Sequence, residues 1–278
     1  MSNHIINGII SNKEDLLIND RGFLYGDGFF ETMFYENSRI QFIADHLKRI
    51  QSACEVAEID FPEELDANQI TQLVKDLCNV EKLENAARVK LIIWRKEGGR
   101  FTPDKNSSNY MLQVTNFSKA PEIKSNVAVS KKVKNCNTAI SQFKTLSCMQ
   151  YILVGIEMKK RNVDDLIILD VDDNISECSS SNIFWVKENQ IYTPDKSTGC
   201  IEGIQKNNLL NLFYQNNFEV AIGKFSLSDL LKADLVFTSN VTGISKIEQV
   251  ENTYFDKSIN VKLKFPFLYT ATGALICG

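Results

Sequence analysis

The apolar residues of this chain switch period repeatedly, from two to about 3.6 and back, and that switching narrows its possible folds more than any other feature. Strict alternation reads as half-buried strand, whereas recurrence at i, i+3 and i+4 reads as amphipathic helix. Residues 4–10 and 15–18 read as short strands of an opening hairpin. Residues 29–35 and 39–42 read as a second hairpin, turning at Glu36-Asn37-Ser38. Two helices follow: 45–55, with Leu47, Ile50 and Cys54 on one face, and 64–79, with Ile70, Leu73, Val74 and Leu77 at helical spacing. Residues 87–94 and 109–115 are β-rich.

The segment 116–122 contains Pro121 and reads as a link between domains. Beyond it, 127–133 is an expected strand and 148–161 an expected helix, with Ile152, Ile156 and Lys159 on different faces. Residues 166–170, 183–186, 190–193, 220–222 and 235–238 read as strands, with helices at 203–217 and 227–231. The short basic run Lys131-Lys132-Val133-Lys134 reads as a solvated strand edge. The pattern is α+β, with antiparallel sheet expected in both domains: 1–117 a smaller N-terminal domain, 118–122 a linker, 123–278 a larger C-terminal domain.

Composition excludes several classes of function. With 31 basic against 35 acidic residues there is no excess of Lys and Arg of the kind that marks a nucleic-acid surface. No apolar stretch approaches the roughly 20 residues that span a bilayer, and no apolar run follows a basic start, so neither a membrane anchor nor a signal peptide is expected. Seven cysteines include no Cys-x-x-Cys pair, and neither His4 nor His46 stands at ligand spacing from them. Reduced thiols, no metal and a cytoplasmic protein are the expectation.

Two groups carry chemistry. Lys144, in Ser141-Gln142-Phe143-Lys144-Thr145-Leu146, is an amine able to condense with an aldehyde. Glu177, in Ile175-Ser176-Glu177-Cys178-Ser179-Ser180-Ser181-Asn182-Ile183-Phe184, is a carboxylate able to keep a pyridine nitrogen protonated. These segments stand in order with Asp20-Arg21-Gly22-Phe23-Leu24-Tyr25-Gly26-Asp27-Gly28, His46-Leu47-Lys48-Arg49, Gly203-Ile204-Gln205-Lys206 and Thr238-Ser239-Asn240-Val241-Thr242-Gly243. Together they resemble the fold-type IV pyridoxal-phosphate enzymes, which include branched-chain and D-amino-acid aminotransferases and 4-amino-4-deoxychorismate lyases.

The resemblance implies two α+β domains of the D-amino-acid aminotransferase kind with pyridoxal 5'-phosphate between them, a homodimer and a small amino substrate. It makes Lys144 the Schiff-base lysine and proton carrier, Glu177 the partner of the ring nitrogen and Arg49 the phosphate-gripping arginine. Ile204 and Gln205 would offer helix-start amides to the phosphate, Asn240 and Val241 would close its other side, and Ser181 would shape the cofactor face. Family members usually carry Thr and Arg where this chain has Gln205 and Lys206.

The reaction is read from departures. Met149 stands where branched-chain enzymes place a tyrosine, and Phe30 where D-amino-acid enzymes do. Arg95-Lys96-Glu97-Gly98-Gly99-Arg100 resembles the lyase segment Arg-Gly-x-Gly-Gly-Arg, and Arg95 and Arg100 would suit a substrate with two carboxylates, unless they are only strand-end and loop charges. Glu31 replaces a threonine of the lyase pattern. Phe30 and Glu31 are thus the remaining substrate-side candidates. Conversion of 4-amino-4-deoxychorismate to 4-aminobenzoate and pyruvate, a step towards folate, is the expected reaction; amino-acid transamination of the branched-chain or D-amino-acid type is the alternative.

Overall fold

The computed structural model describes residues 3–11, 19–83, 86–256 and 258. The chain divides into two units. The first comprises residues 1–118 together with 143–147; the second comprises 119–142 and 148–278.

The first unit is one antiparallel sheet covered on one face by helices. Its strands are β1 (His4–Ile6), β2 (Ile9–Ser11), β3 (Gly28–Glu36), β4 (Arg39–Ile40), β5 (Ala86–Arg95) and β6 (Ser108–Asn116), in the order β2-β1-β6-β5-β3-β4. A short helix α1 (Arg21–Tyr25) precedes β3, and α2 (Ile43–Val56) and α3 (Ala67–Glu81) lie between β4 and β5. The period-two rule sends Phe29, Met33 and Tyr35 to the helical side, where Ile50, Ala53, Ile70, Val74 and Leu77 complete the core. Phe30 and Phe34 go to the other face and stay half-buried. Sequence alternation located β3 to β6 to within a residue or two; the expected single strand at 4–10 is instead a hairpin, β1 and β2 turning at Asn7 and Gly8, and the expected strand at 15–18 lies outside the described residues. Helix α1 falls where only a glycine-marked loop was read. Asp20 caps it by accepting from the Gly22 amide at 2.7 Å, and Gly26 ends it in the left-handed region at φ 64°.

The second unit is layered helix–sheet–sheet–helix. One sheet has the order β10-β9-β8-β16-β17 and the other β13-β12-β11-β14-β15-β7. Their strands are β7 (Ile123–Lys124), β8 (Val127–Asn135), β9 (Asp165–Asp170), β10 (Ile175–Cys178), β11 (Asn182–Lys187), β12 (Gln190–Pro194), β13 (Val220–Gly223), β14 (Leu235–Asn240), β15 (Gly243–Ile247), β16 (Gln249–Val250) and β17 (Thr253–Tyr254). Helices are α4 (Met149–Arg161), α5 (Ile204–Gln215) and α6 (Leu227–Leu230). Alternation again sorts the layers. Ile183 and Trp185 join Val127, Ile167 and Val250 in a core holding residues of both sheets, while Phe184 and Val186 pack with Leu209 and Phe213 of α5. Leu166 and Ile168 face Val154 of α4, and Ile167 faces inward. With both faces of β9 covered, its apolar run is continuous rather than alternating.

Three expectations need correction here. The second unit is mixed rather than antiparallel, since β8·β9, β8·β16, β12·β13 and β7·β15 are parallel pairs. Lys131, Lys132 and Lys134 lie in an internal strand, exposed where the β8·β9 register shifts between Val129 and Lys134, while Val133 turns inward. Ile152 and Ile156 share one face of α4 with Met149 and Leu153, and all four are exposed.

Phe213 is fully buried and meets Phe184 and Phe218 edge-on. Phe213→Ala should lower unfolding stability by about 3–5 kcal/mol, measured by urea titration, through lost transfer energy and the cavity left behind.

Candidate active site

Lys144 belongs to the sheet of the first unit, not to the larger C-terminal domain. The Phe30 amide donates to the Lys144 carbonyl at 2.8 Å and the Leu146 amide to the Gly28 carbonyl at 2.9 Å, so residues 143–147 run along β3. Phe143 turns into the core edge-on to Phe29, and the Lys144 ammonium stands 5.4 Å from the Phe30 ring centre. A second ammonium, that of Lys90, lies 4.9 Å from the same ring. The glycine-marked loop supports this segment: a Cβ on Gly26 would lie 2.6 Å from Ser147 Oγ, so close approach and positive φ both demand glycine.

Glu31 and Arg49 form one buried cluster. Arg49 donates from Nε to Glu31 Oε1 at 2.7 Å and from Nη2 to Oε2 at 2.5 Å, and His46 Nδ1 lies 2.7 Å from Oε2. Alternation along β3 points Glu31 at α2, where His46 and Arg49 share a helix face. Its carboxylate is therefore engaged internally instead of being offered to a substrate. Burial alone would push Glu31 up, but the Arg49 guanidinium and the hydrogen bonds from His46 and Arg49 outweigh it and hold the group at about 2.

The two candidate substrate arginines separate. Arg95 is buried, donating to Asp27, to the carbonyls of Ala57 and Glu58, and to Asn106. It staples loops together, a role its strand-end position did not reveal. Arg100 is exposed, on a loop fixed by Arg21, whose Nη1 donates to the carbonyls of Gly98 and Arg100 at 2.9 and 2.6 Å.

In the second unit Glu177 is 3% exposed and lies on β10. A register shift between Ile175 and Glu177 in the β9·β10 pair re-aims it. Its Oε1 accepts from Tyr151 Oη at 2.8 Å and from Asn135 Nδ2 at 3.0 Å, and Oε2 accepts from the Ile201 amide at 3.1 Å. The sequence reading missed both side chains; Tyr151, seven residues beyond Lys144 and half-buried on α4, carried the fainter signal.

Helix α5 starts at Gly203 with no side-chain cap, so its first amides point out of the helix end. A Cβ on Gly203 would fall 2.0 Å from Asn182 Oδ1, which fixes glycine there. Gln205 is buried with Nε2 unpartnered, and Ser239, paired in register with Asn182, has an unpartnered buried Oγ. Lys206 turns inward to the Pro194 carbonyl and Glu202. The Asn240 side chain closes its own turn, accepting from Thr242 and donating to the Ser180 carbonyl, and Val241 lies in that turn. Ser181 Oγ faces the buried Lys124–Asp165 pair.

Residues 28–250 match the family model for amino-transferase class IV. The chain belongs to that family. Class IV members are pyridoxal-phosphate-dependent enzymes. The residues fit the cofactor: a buried carboxylate supplied by neutral donors suits a pyridinium, and an uncapped helix start beside an orphaned buried amide suits a phosphate. The chain is 24% identical to an aminodeoxychorismate lyase of Vibrio harveyi, over 84% of this chain and 88% of that one. It is 27% identical to an aminodeoxychorismate lyase of Bacillus subtilis, over 88% and 86%. Its fold matches the branched-chain amino acid aminotransferase of Escherichia coli with a TM-score of 0.83 at 20% identity, over 95% and 91%.

The Glu31 cluster gives a pH prediction. A carboxyl lowered from 4.5 to about 2 stabilises the fold above the unfolded value and loses that contribution as pH falls through the folded one. At about 1.4 kcal/mol per unit this is about 3 kcal/mol at neutral pH. Glu31→Gln should be destabilised by about that amount at pH 7, and the gap to the native protein should shrink between about pH 4.5 and 2, followed by chemical denaturation.

Proposed function

We propose that the chain is a pyridoxal-phosphate-dependent lyase that eliminates pyruvate from 4-amino-4-deoxychorismate to give 4-aminobenzoate, a folate precursor. The observation that carries the choice of reaction is the Arg95–Arg100 segment. Arg95 holds its loop through Asn106 and Arg21 holds the Arg100 backbone carbonyl, which leaves the Arg100 side chain exposed for a planar carboxylate. Similarity to two lyases over most of their length supports the same reading.

When bound, the cofactor supplies an aldehyde for the substrate amine and a ring that draws electrons from the neighbouring carbon. Lys144 Nζ accepts the proton of the ring carbon that bears the amine. The C–O bond to the enolpyruvyl group then breaks, the ring becomes aromatic, and Nζ returns a proton to the departing enolpyruvate. Glu177 holds the ring nitrogen protonated. Arg49, oriented by Glu31, the amides of Ile204 and Gln205 and the turn at Asn240 and Val241 hold the phosphate, and Ser181 backs the cofactor face. Phe30 places an aromatic ring 5.4 Å from the Lys144 amine and so helps to fix where it stands.

The exposed stripe Met149, Ile152, Leu153 and Ile156 supports a homodimer, because aligned apolar side chains on a helix surface mark an association face. The odd number of cysteines and the lack of any Cys-x-x-Cys pair support a reducing, cytoplasmic setting.

Cofactor-loaded protein should release pyruvate from 4-amino-4-deoxychorismate with no 2-oxo acid present, and Lys144→Ala should lower the rate by at least about 10²–10⁴-fold. Turnover of an amino acid only with an added 2-oxo acid, and no such release, would replace the lyase by an aminotransferase. Ile152→Glu combined with Ile156→Glu should shift the sedimentation coefficient from dimer to monomer.

A further inference from the structure

The hydrogen bonds around Glu177 have a specific character. Oε1 takes two donors, the Tyr151 hydroxyl and the Asn135 amide, and Oε2 takes the Ile201 backbone amide. All three are neutral. Asn135 is itself held by Ser176, whose Oγ accepts from the same Nδ2 at 2.9 Å. Tyr151 comes from elsewhere in the fold, on the first turn of α4 among residues packed against Ala128, Val133 and Val154.

The choice of a phenol has a consequence. A guanidinium or ammonium would neutralise Glu177 and compete for it with any cation it serves. A hydroxyl stabilises the ionised carboxylate without cancelling its charge. Burial, then the adjacent Glu177 charge and hydrogen bond, push the Tyr151 phenol upward, so it stays a proton donor throughout the working range.

We infer that Tyr151 is a positioning residue that keeps Glu177 ionised and oriented for the nitrogen of a pyridinium ring. The inference rests on the reading of Glu177 as the ring-nitrogen partner. With the hydroxyl removed, the carboxylate loses a donor to its charged form and its affinity for a proton rises. The proton shared with the ring nitrogen then moves towards Glu177, and the ring is left less cationic.

The test compares two probes on native protein and Tyr151→Phe: pyridoxal phosphate, and its analogue with CH in place of the ring nitrogen. Dissociation constants are read from quenching of tryptophan fluorescence, with the thermal midpoint of each protein recorded. Tyr151→Phe should weaken pyridoxal phosphate about ten- to a hundredfold, the loss expected for one hydrogen bond to a charged group, and change analogue binding less than about threefold. Equal weakening of both probes would make Tyr151 a structural residue only and overturn the inference. Unchanged binding of both would overturn it too. If native protein binds neither probe, the cofactor reading itself fails, a result distinct from the other two. Should Tyr151→Phe not fold, difluorotyrosine at 151 keeps the ring and strengthens the donor; pyridoxal phosphate must then bind more tightly, and unaltered binding overturns the proposal.

Discussion

An ionised carboxylate taken out of water loses several kcal/mol unless donors replace its hydration, and this fold buries two that matter. Glu31 receives a guanidinium fork and an imidazole, so its charge is cancelled where it stands. Glu177 receives a phenol, a carboxamide and a backbone amide. The first arrangement makes a rigid joint between β3 and α2. The second keeps negative charge available in a dry place, which is the electrostatic basis of the functional proposal. The same side-chain type is thus a fastener in one unit and, in the proposed function, the partner of a ring nitrogen in the other.

Around these groups, period-two alternation performs two tasks at once. In the first unit it sends Phe29 and Glu31 to the helices and Phe30 to the opposite face, beside Lys144. In the second it distributes Ile183 and Trp185 to one core and Phe184 and Val186 to another. The departure from regular pairing between Ile175 and Glu177 occurs at the residue proposed to meet the ring nitrogen.

Most strands and the long helices were legible because alternation and helical spacing are local properties. The uncapped start of α5 was legible because a glycine directly before a helical run is a local signal. What escaped depends on partners distant in sequence. Arg95 reads as a substrate ligand until the carbonyls of Ala57 and Glu58 are seen on its guanidinium. Glu31 reads as a substrate residue until α2 folds over it. Tyr151 gave no motif, since nothing in its neighbourhood encodes a bond to a strand 26 residues away. Strand β10 was hidden by the serines that follow it, which resemble a turn.

Residues 143–147 complete the sheet of the first unit although about 25 residues belonging to the second separate them from Ser118. The amino-terminal unit is thus discontinuous in the chain. During synthesis it cannot finish folding when residue 118 leaves the ribosome; Phe29 lacks the Phe143 ring, and Gly26 lacks Ser147, until 147 has emerged. Cutting the gene at the apparent linker would yield a fragment missing an edge of its sheet together with Lys144. The two units are therefore interleaved along the chain, and any exchange of the first would have to carry residues 143–147 with it.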